Sequence, residues 1–260
     1  MHARQVEAYL AIFNEQGRLN EEEGFLYGSG DDEVQGICVM WMASAAALEY
    51  AAKQGCNLIV CHEAVTFWDY PVWQDRSPIH EPWLCDRRRL AVIEQHGLTI
   101  LRAHSTVDPT HVGPALWQAV GIGEPSFSGW VYSHHQIEPT TVARLAERTR
   151  RGLGLDAVRT TGDPLRACTE VGTCWGGGGM DRNMHHIVEH LLPRGVEVVI
   201  VGETNDFTQR MAMDSDIALI EAGHSPSEDP GLRRLADDLA VKFPQTRVIF
   251  RPQEVPWVTL

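Results

Sequence analysis

The segment Ile37–Cys61, ICVMWMASAAALEYAAKQGCNLIVC, indicates the fold class. Its apolar run Ile37–Met42 predicts a buried strand, and Ser44 can cap a following helix, AAALEYAAKQ, that stops at Gly55. A second apolar run, Asn57–Cys61, comes directly after the helix. A strand, a helix and a strand in this order are typical of a parallel sheet with helices packed on its faces.

The same alternation continues along the chain. Further strands are predicted at Leu98–Ala103, Glu170–Cys174, Val196–Val201, Ile217–Glu221 and Arg247–Phe250. Helical spacing is clearest at Leu84–His96, Thr141–Arg151, Asp181–Leu192 and Leu232–Phe243. One long segment, Asp69–Pro82, contains three prolines and predicts a loop, either functional or a plain surface excursion. We therefore expect an α/β protein with mostly parallel sheets flanked by helices.

Composition narrows the classes of function. The 260 residues carry a formal net charge of −13, which disfavours nucleic acid as a partner because a nucleic-acid binder needs a basic face. No apolar run is long enough to span a membrane, and the first residues lack a signal-peptide pattern. The six cysteines include no CxxC pair. We therefore expect a reduced, cytoplasmic protein.

Polar side chains that can bind metal follow three of the predicted strands. His62 and Glu63 follow the first, His104 and Asp108 the second, and His224 and Glu228 the third. Ligands of open α/β sheets bind at the carboxyl ends of the strands, so these three ends can converge. Imidazoles and carboxylates together form the ligand set of Zn²⁺, Mn²⁺ or Fe²⁺.

Each of these residues also has an ordinary structural interpretation. Asp108 precedes Pro109, which favours an extended loop, and could simply form an Asx-turn. Ser225 or Ser227 can cap a helix that has Glu228 in or near its first turn, where a carboxylate is favourable in any case. From the spacing alone, a metal site and purely structural roles both remain open.

Three segments carry a resemblance to a known family. They are Leu58–Trp68, LIVCHEAVTFW; Ala103–Asp108, AHSTVD; and Gly223–Glu228, GHSPSE. Their order and spacing resemble those of the dinuclear metal-centre proteins labelled GTP cyclohydrolase I type 2, also called the NGG-interacting-factor-three family. The Gly-Glu of VIVGETND and the turn GTCWGGGG also have counterparts in that family.

The resemblance implies a site and an assembly. It implies two divalent metal ions per chain, Zn, Mn or Fe, bound by His62, Glu63, Asp108, His224 and Glu228. It implies that His104 either supports the ligands from behind or faces the substrate. His104 is the best candidate for the general acid or base, because the unperturbed pKa of an imidazole lies near neutral pH. It also implies a homohexameric ring whose metal sites face an internal cavity.

The chain departs from the family pattern at several positions. Glu63 and Ala64 stand where the family has His and Pro, Met42 where it often has Asp, and Asp206 where many relatives have His. A glutamate is a harder, charged ligand, so metal preference should move toward Mn²⁺ or Fe²⁺, or one of the two positions should be weak.

The Gly-rich run Trp175–Gly179, WGGGG, lies between a predicted strand and a predicted helix. Its backbone N–H groups suit a phosphate, which makes Gly177 and Gly178 candidate substrate-binding residues, although a plain flexible turn is an equal alternative. The run is not a P-loop, and the chain contains neither a GxGxxG nor a G-x-S-x-G motif.

Together these patterns predict two intertwined domains and a metal-dependent reaction. Residues 1–125 and 218–260 would form the metal-binding domain, with 126–217 inserted as a second α/β domain. The function predicted is that of a hydrolase-like protein acting on a nucleotide or another small phosphorylated substrate. The alternatives are a non-catalytic metal-binding scaffold or regulatory protein and, less favoured, an oligomeric α/β protein without metal.

Overall fold

The computed structural model describes residues 1–67 and 83–258. Trp68 and the loop predicted at Asp69–Pro82 lie outside these residues. The contacts within the chain define two units, of which the first comprises Met1–Val107 and Leu232–Gln253 and the second Asp108–Gly231 and Glu254–Leu260.

The first unit is built on a five-stranded sheet in the order β1-β4-β3-β2-β11. The strands are β1 Gly24–Tyr27, β2 Gly36–Met40, β3 Leu58–Cys61, β4 Thr99–Arg102 and β11 Arg247–Arg251. Neighbouring strands are parallel except for the antiparallel pair β1 and β4. The helices of this unit are α1 Ala3–Leu10, α2 Ala45–Lys53, α3 Leu84–His96 and the part of α7, His224–Lys242, that follows Gly231.

Both faces of this sheet are covered, which explains why β2 and β3 are apolar at every position. Cys38 and Ile59 face a cluster that includes Leu48 of α2 and Ile93 of α3. The alternate residues of the same strands face a second cluster that includes Leu10 of α1 and Leu235 of α7. As predicted, Ser44 caps α2 by accepting a hydrogen bond from the Ala47 N–H, so the strand–helix–strand prediction is confirmed.

The second unit is built on a six-stranded sheet in the order β5-β6-β8-β9-β10-β7. The strands are β5 Phe127–Ser128, β6 Tyr132–Thr141, β7 Arg159–Thr161, β8 Ala167–Cys174, β9 Val198–Val201 and β10 Ala218–Glu221. The central strands β8, β9 and β10 are parallel, and the outer pairs are antiparallel. The α-helices are α4 Gly113–Val120, α5 Val142–Gly152 and α6 Asp206–Asp214.

Several segments of the second unit form tighter or wider helical turns than the sequence predicts. The predicted helix Asp181–Leu192 is a 3₁₀ turn at Asp181–Asn183 followed by a π-helix at His186–Leu191. Asp108, expected on a loop, begins a π-helical turn, Asp108–Val112. The helix expected to start at Ser225 or Ser227 starts at His224, so neither serine is its N-cap.

The predicted α/β fold class is confirmed, with parallel strands at the centre of both sheets. The predicted domain limits at 125/126 and 217/218 stay a prediction. No described helix combines the length and apolar character needed to cross a membrane.

Candidate metal centre

The first potential ligands lie where β3 ends. Beyond Cys61 the chain turns across the end of β2, because the N–H groups of His62 and Glu63 both donate to the Trp41 carbonyl, at 3.1 and 2.8 Å. Both side chains are buried. The turn lets two consecutive residues present their side chains at the same edge of the sheet, which an extended strand would send to opposite faces.

The orientation of the His62 ring leaves Nε2 as the atom that can bind a cation. Its Nδ1 lies 3.0 Å from the Ala103 carbonyl oxygen, which can only accept, so Nδ1 carries the proton. The lone pair is therefore on Nε2, the usual arrangement of a metal-binding histidine whose other nitrogen is held by the backbone. The imidazole of His104 lies beside it, with ring centroids 4.7 Å apart.

Two glutamates that precede β1 hold the segment after β4 in place. Glu23 accepts hydrogen bonds from the N–H groups of His104 and Thr106, at 2.7 and 2.8 Å. Glu22 lies 3.8 Å from His104 Nδ1 and accepts a hydrogen bond from the Ser105 hydroxyl at 2.7 Å. His104, as the largest cause, and then Ser105 hold the pKa of Glu22 near 2. Glu22 is therefore a carboxylate beside the His104 imidazole.

Asp108 completes the first group of ligands. It is buried and begins the π-helical turn Asp108–Val112, six residues after β4 ends at Arg102. One ligand atom from each of His62, His104 and Asp108 lies within 4.8 Å of the other two. Two imidazoles and one carboxylate form a donor set typical of Zn²⁺, Mn²⁺ or Fe²⁺ sites.

The second unit places His224 and Glu228 on one face of α7. Gly223, at φ +99°, allows the sharp turn after β10 that brings His224 to the first helical position. His224 Nε2 lies 3.6 Å from Oε2 of Glu228, whose side chain is 4% exposed. The four-residue spacing thus aligns both side chains as the sequence predicts, although the helix begins earlier.

A third carboxylate orients His224. Glu203 follows β9, the neighbour of β10, and its Oε2 lies 3.0 Å from His224 Nδ1. Because a carboxylate accepts, Nδ1 carries the proton and the lone pair of Nε2 points toward Glu228. A carboxylate behind an imidazole in this way is a common feature of metal-binding histidines.

The Gly-rich turn lies directly against this pair. Gly176–Gly179 forms a 3₁₀ turn, and the Gly176 N–H donates to the Ser227 hydroxyl at 3.0 Å. A Cβ placed on Gly176 would lie 2.0 Å from Oε1 of Glu228 and 3.1 Å from Nε2 of His224. A Cβ on Gly177 would lie 3.3 Å from Cε1 of His224. Glycine here keeps the space around the imidazole and carboxylate clear.

Among the described residues, two groups of three side chains could each hold a metal ion: His62 with His104 and Asp108, and Glu63 with His224 and Glu228. Their chemistry fits such an ion. Both His62 and His224 have Nδ1 engaged by an acceptor, which leaves Nε2 as the atom that could bind an ion. Metal binding by the five predicted ligands, and a catalytic role for His104, stay predictions.

Sequence reasoning missed the residues that support the ligands. Glu203 had a signal, because it follows a predicted strand just as the three recognised pairs do. Glu22 and Glu23 lie in a segment without periodicity and had none. The candidate substrate-binding residues Gly177 and Gly178 lie in the turn next to His224, and their role stays a prediction.

The fold and these groups define the class: an α/β protein with potential metal ligands at the carboxyl ends of its parallel strands. The chain belongs to the Duf34/NIF3 (NGG1p interacting factor 3) family, whose model matches residues 9–255. This confirms the resemblance that the three sequence segments indicate.

Individual relatives are similar over most of the chain. A Neisseria meningitidis protein named GTP cyclohydrolase 1 type 2 homolog is 24% identical over 220 residues, which cover 82% of each chain. The solved structure of protein ybgI, described as of unknown function, has a TM-score of 0.81 and 22% identity, with 99% of this chain and 100% of that chain covered. A Staphylococcus aureus hypothetical protein has a TM-score of 0.79 at 14% identity, covering 100% and 99%. At these identities, the structural likeness shows the fold alone.

Proposed function

We propose that the protein is a dinuclear metal-dependent hydrolase that acts on a nucleotide or another small phosphorylated substrate. The observation that carries the proposal is the presence of two groups of three His, Asp or Glu residues, each able to hold one ion. The family relationship supports it, as do relatives named GTP cyclohydrolase 1 type 2 homolog.

In this proposal, His62 and Asp108 would hold one metal ion, and Glu63, His224 and Glu228 would hold the other. Bound divalent ions would lower the pKa of a water molecule and polarise the substrate. The residues of the chain set the conditions for that chemistry. Ala103 and Glu203 fix the imidazoles of His62 and His224 with Nε2 as the donor atom.

His104 is the proposed proton carrier. It lies beside His62, its side chain is 23% exposed, and the carboxylate of Glu22 is 3.8 Å from its Nδ1. Glu22 would stabilise the protonated imidazole after His104 takes up a proton, and would leave Nε2 to exchange it with the substrate. His104 also lies within ligand distance of His62 and Asp108, so its role can be tested directly against that of a ligand.

The Gly-rich turn is the proposed contact with the substrate. Gly177 lies next to the His224 ring, and the lack of a side chain there would let a phosphate approach the backbone. Gly178 packs against Cys174 and its N–H donates to the Trp175 carbonyl, so its part in this contact would be to shape the turn. Glu63 should shift metal preference toward Mn²⁺ or Fe²⁺. We further propose a cytoplasmic homohexamer, on the resemblance to the family alone.

The second candidate is a metal-binding scaffold or regulatory protein without turnover. Glu63 in place of His and Met42 in place of Asp favour it, because both change the expected surroundings of the metals. A structural site would have all coordination positions filled by the protein, whereas an enzyme keeps one open for water.

Metal analysis combined with turnover separates these functions. The protein is stripped with a chelator, reloaded with Mn²⁺, Fe²⁺ or Zn²⁺, and assayed for metal content and for hydrolysis of GTP and simple phosphate esters. Two ions per chain with turnover would support the hydrolase, and two ions without turnover the scaffold. Asp108→Ala should lose at least one ion while the exposed control Asp214→Ala keeps both. Full metal content in Asp108→Ala would refute the ligand assignment.

His104→Gln tests the role of the imidazole. As an acid or base, His104 should leave both ions bound while turnover falls by about 10² to 10⁴. Loss of an ion in this variant would instead make His104 a ligand. Full turnover with both ions bound would remove it from the mechanism.

A further inference from the structure

A separate line of reactive side chains lies in the second unit, on strands β6 and β8 and just before β5. Ser126 Oγ is 2.9 Å from Nδ1 of His134, and His134 Nε2 is 2.8 Å from Oε2 of Glu170. None of the three belongs to either group of potential metal ligands among the described residues. They therefore form a hydroxyl–imidazole–carboxylate series that the proposed hydrolase does not use.

The carboxylate of Glu170 can only accept, so His134 carries a proton on Nε2. In the neutral ring Nδ1 is then the acceptor, and it lies within reach of the Ser126 hydroxyl, the arrangement in which an imidazole can remove a proton from a hydroxyl. The other oxygen of Glu170 accepts from the Gln136 side-chain amide at 3.0 Å, which fixes the carboxylate.

The backbone holds the series in register. The Ser126 N–H donates to the His134 carbonyl at 2.8 Å, and Phe127 pairs with His134 across β5 and β6. Gln136 pairs with Glu170 across β6 and β8. The Ser126 hydroxyl also lies 3.1 Å from the His134 carbonyl oxygen, so both of these partners of the hydroxyl, Nδ1 and the carbonyl oxygen, belong to His134. Because the backbone already holds the hydroxyl and the imidazole close together, most of the entropy of bringing them into position is lost on folding and not during a reaction.

The exposure of the two side chains suits a nucleophile and its base. Ser126 is exposed, whereas the His134 side chain is only 13% exposed, so a small electrophile can reach the hydroxyl while the imidazole stays shielded.

We propose that Ser126 is an activated nucleophile that transfers acyl groups from small activated carboxylic esters, with His134 as its base and Glu170 as the residue that orients the base. Ser126 Oγ attacks the ester carbonyl while its proton passes to His134 Nδ1. The bond to the alcohol breaks, and the departing oxygen takes that proton from His134. Water then attacks the acyl-serine by the same route, releasing the acid. This constellation is defined by geometry, so the absence of a G-x-S-x-G motif does not exclude it.

Labelling in the presence of EDTA tests this proposal apart from any metal chemistry. The full-length protein is treated with a fluorophosphonate probe, whose fluoride leaves as the serine attacks, and the modified peptide is identified by mass spectrometry. Release of p-nitrophenol from p-nitrophenyl acetate gives the rate of acylation. We expect labelling at Ser126, and a loss of about 10² to 10⁴ in acylation rate for His134→Gln.

Matched variants make the result specific. Ser128→Ala removes an exposed serine two residues away and should leave labelling and rate unchanged, while Ser126→Ala should abolish both. Glu170→Gln should lower the rate but keep the labelled position. An unlabelled Ser126, or equal rates in wild type and His134→Gln, would overturn the proposal. Neither result would bear on the metal ligands.

Discussion

His224 Nδ1 lies 3.0 Å from Oε2 of Glu203, a residue 21 positions earlier in the chain. Parallel pairing of β9 with β10 creates this contact, since it places Gly202 beside Gly223 with a 2.7 Å hydrogen bond between their backbones. The carboxylate of Glu203, which follows the neighbouring strand, therefore orients the His224 ring so that Nε2 is the nitrogen left to bind a metal ion. We expect the loss of this carboxylate to lower the metal affinity of the protein.

Glu203→Gln should weaken metal binding by about 10- to 100-fold, the usual effect of removing a carboxylate behind a metal-binding imidazole. Glutamine keeps the size of the side chain but removes the charge that makes Nε2 more basic. Isothermal titration of chelator-treated protein with Mn²⁺ measures the effect. Glu138→Gln, on an exposed stretch of β6, is the control that should bind as wild type does. Equal affinities for the two variants would mean that Glu203 has no influence on the metal.

Gly176→Ala should disturb the His224–Glu228 pair more than it disturbs the backbone. The new Cβ would lie 2.0 Å from Oε1 of Glu228, so the carboxylate must move. Gly195→Ala is a matched control, because Gly195 also has positive φ, +75° against +56°, but has nothing within 4 Å of its Cβ position. Both variants should lose about 1 kcal/mol of stability from the unfavourable φ.

Only Gly176→Ala should also lose metal. Urea unfolding gives the stability of both variants, and metal content after reloading gives the occupancy. If Gly176→Ala held as much metal as Gly195→Ala, the close approach of the turn would not matter for the ligands.

The sequence predicts the elements that position the site better than it predicts their local geometry. Buried strands β2 and β3 are apolar at every position, and Ser44 and Gly55 mark the ends of the intervening helix, so their prediction is confirmed. Histidine, aspartate and glutamate residues after β3, β4 and β10 indicate the site, because ligands of α/β sheets bind at the carboxyl ends of the strands. The same rule applies to Glu203, which follows β9.

Other features depend on tertiary contacts that no local pattern contains. Glu22 and Glu23 contact His104 and Ser105, which lie more than eighty residues later in the chain. No periodic pattern around Glu22 and Glu23 predicts these contacts. The pattern of Asp181–Leu192 does not separate α, 3₁₀ and π turns, because apolar spacings of three to five residues overlap in so short a segment. The series Ser126–His134–Glu170 is assembled by the register of three strands and cannot be read from spacing.

Glu63→His should move metal preference toward Zn²⁺. Replacing a carboxylate with an imidazole removes one negative charge and exchanges a hard oxygen for a nitrogen donor, which suits Zn²⁺ better than Mn²⁺. Competition between equal concentrations of the two metals, followed by elemental analysis, gives the Zn²⁺ to Mn²⁺ ratio. The ratio should rise relative to wild type, whereas His96→Gln, at an exposed position, should leave it unchanged. An unaltered ratio in Glu63→His would place Glu63 outside the metal's coordination.

The burial of His135 leads us to expect that the folded protein loses stability in mild acid. It is fully buried beside Trp117, its Nδ1–H donates to the Gly123 carbonyl, and its Nε2 accepts from the Ser133 hydroxyl. Burial, as the main cause, lowers its pKa from 6.5 to about 4. The unfolded chain therefore binds a proton between pH 6.5 and 4 that the folded chain does not. By linkage, the free energy of unfolding is highest above pH 6.5 and falls as the pH drops toward 4.

The contribution of His135 to this fall should be roughly 1 to 3 kcal/mol. Urea unfolding at pH 7.5 and pH 4.5 measures it, with His135→Gln as the test variant and the exposed His96→Gln as its control. His135→Gln should be less stable than wild type at pH 7.5, because its hydrogen bonds are disrupted, yet should lose less stability on acidification. His96→Gln should follow wild type at both values. A histidine that protonates freely in the folded state would not make stability depend on pH. If wild type and His135→Gln lost the same free energy of unfolding between pH 7.5 and pH 4.5, His135 would therefore not be held neutral by its surroundings.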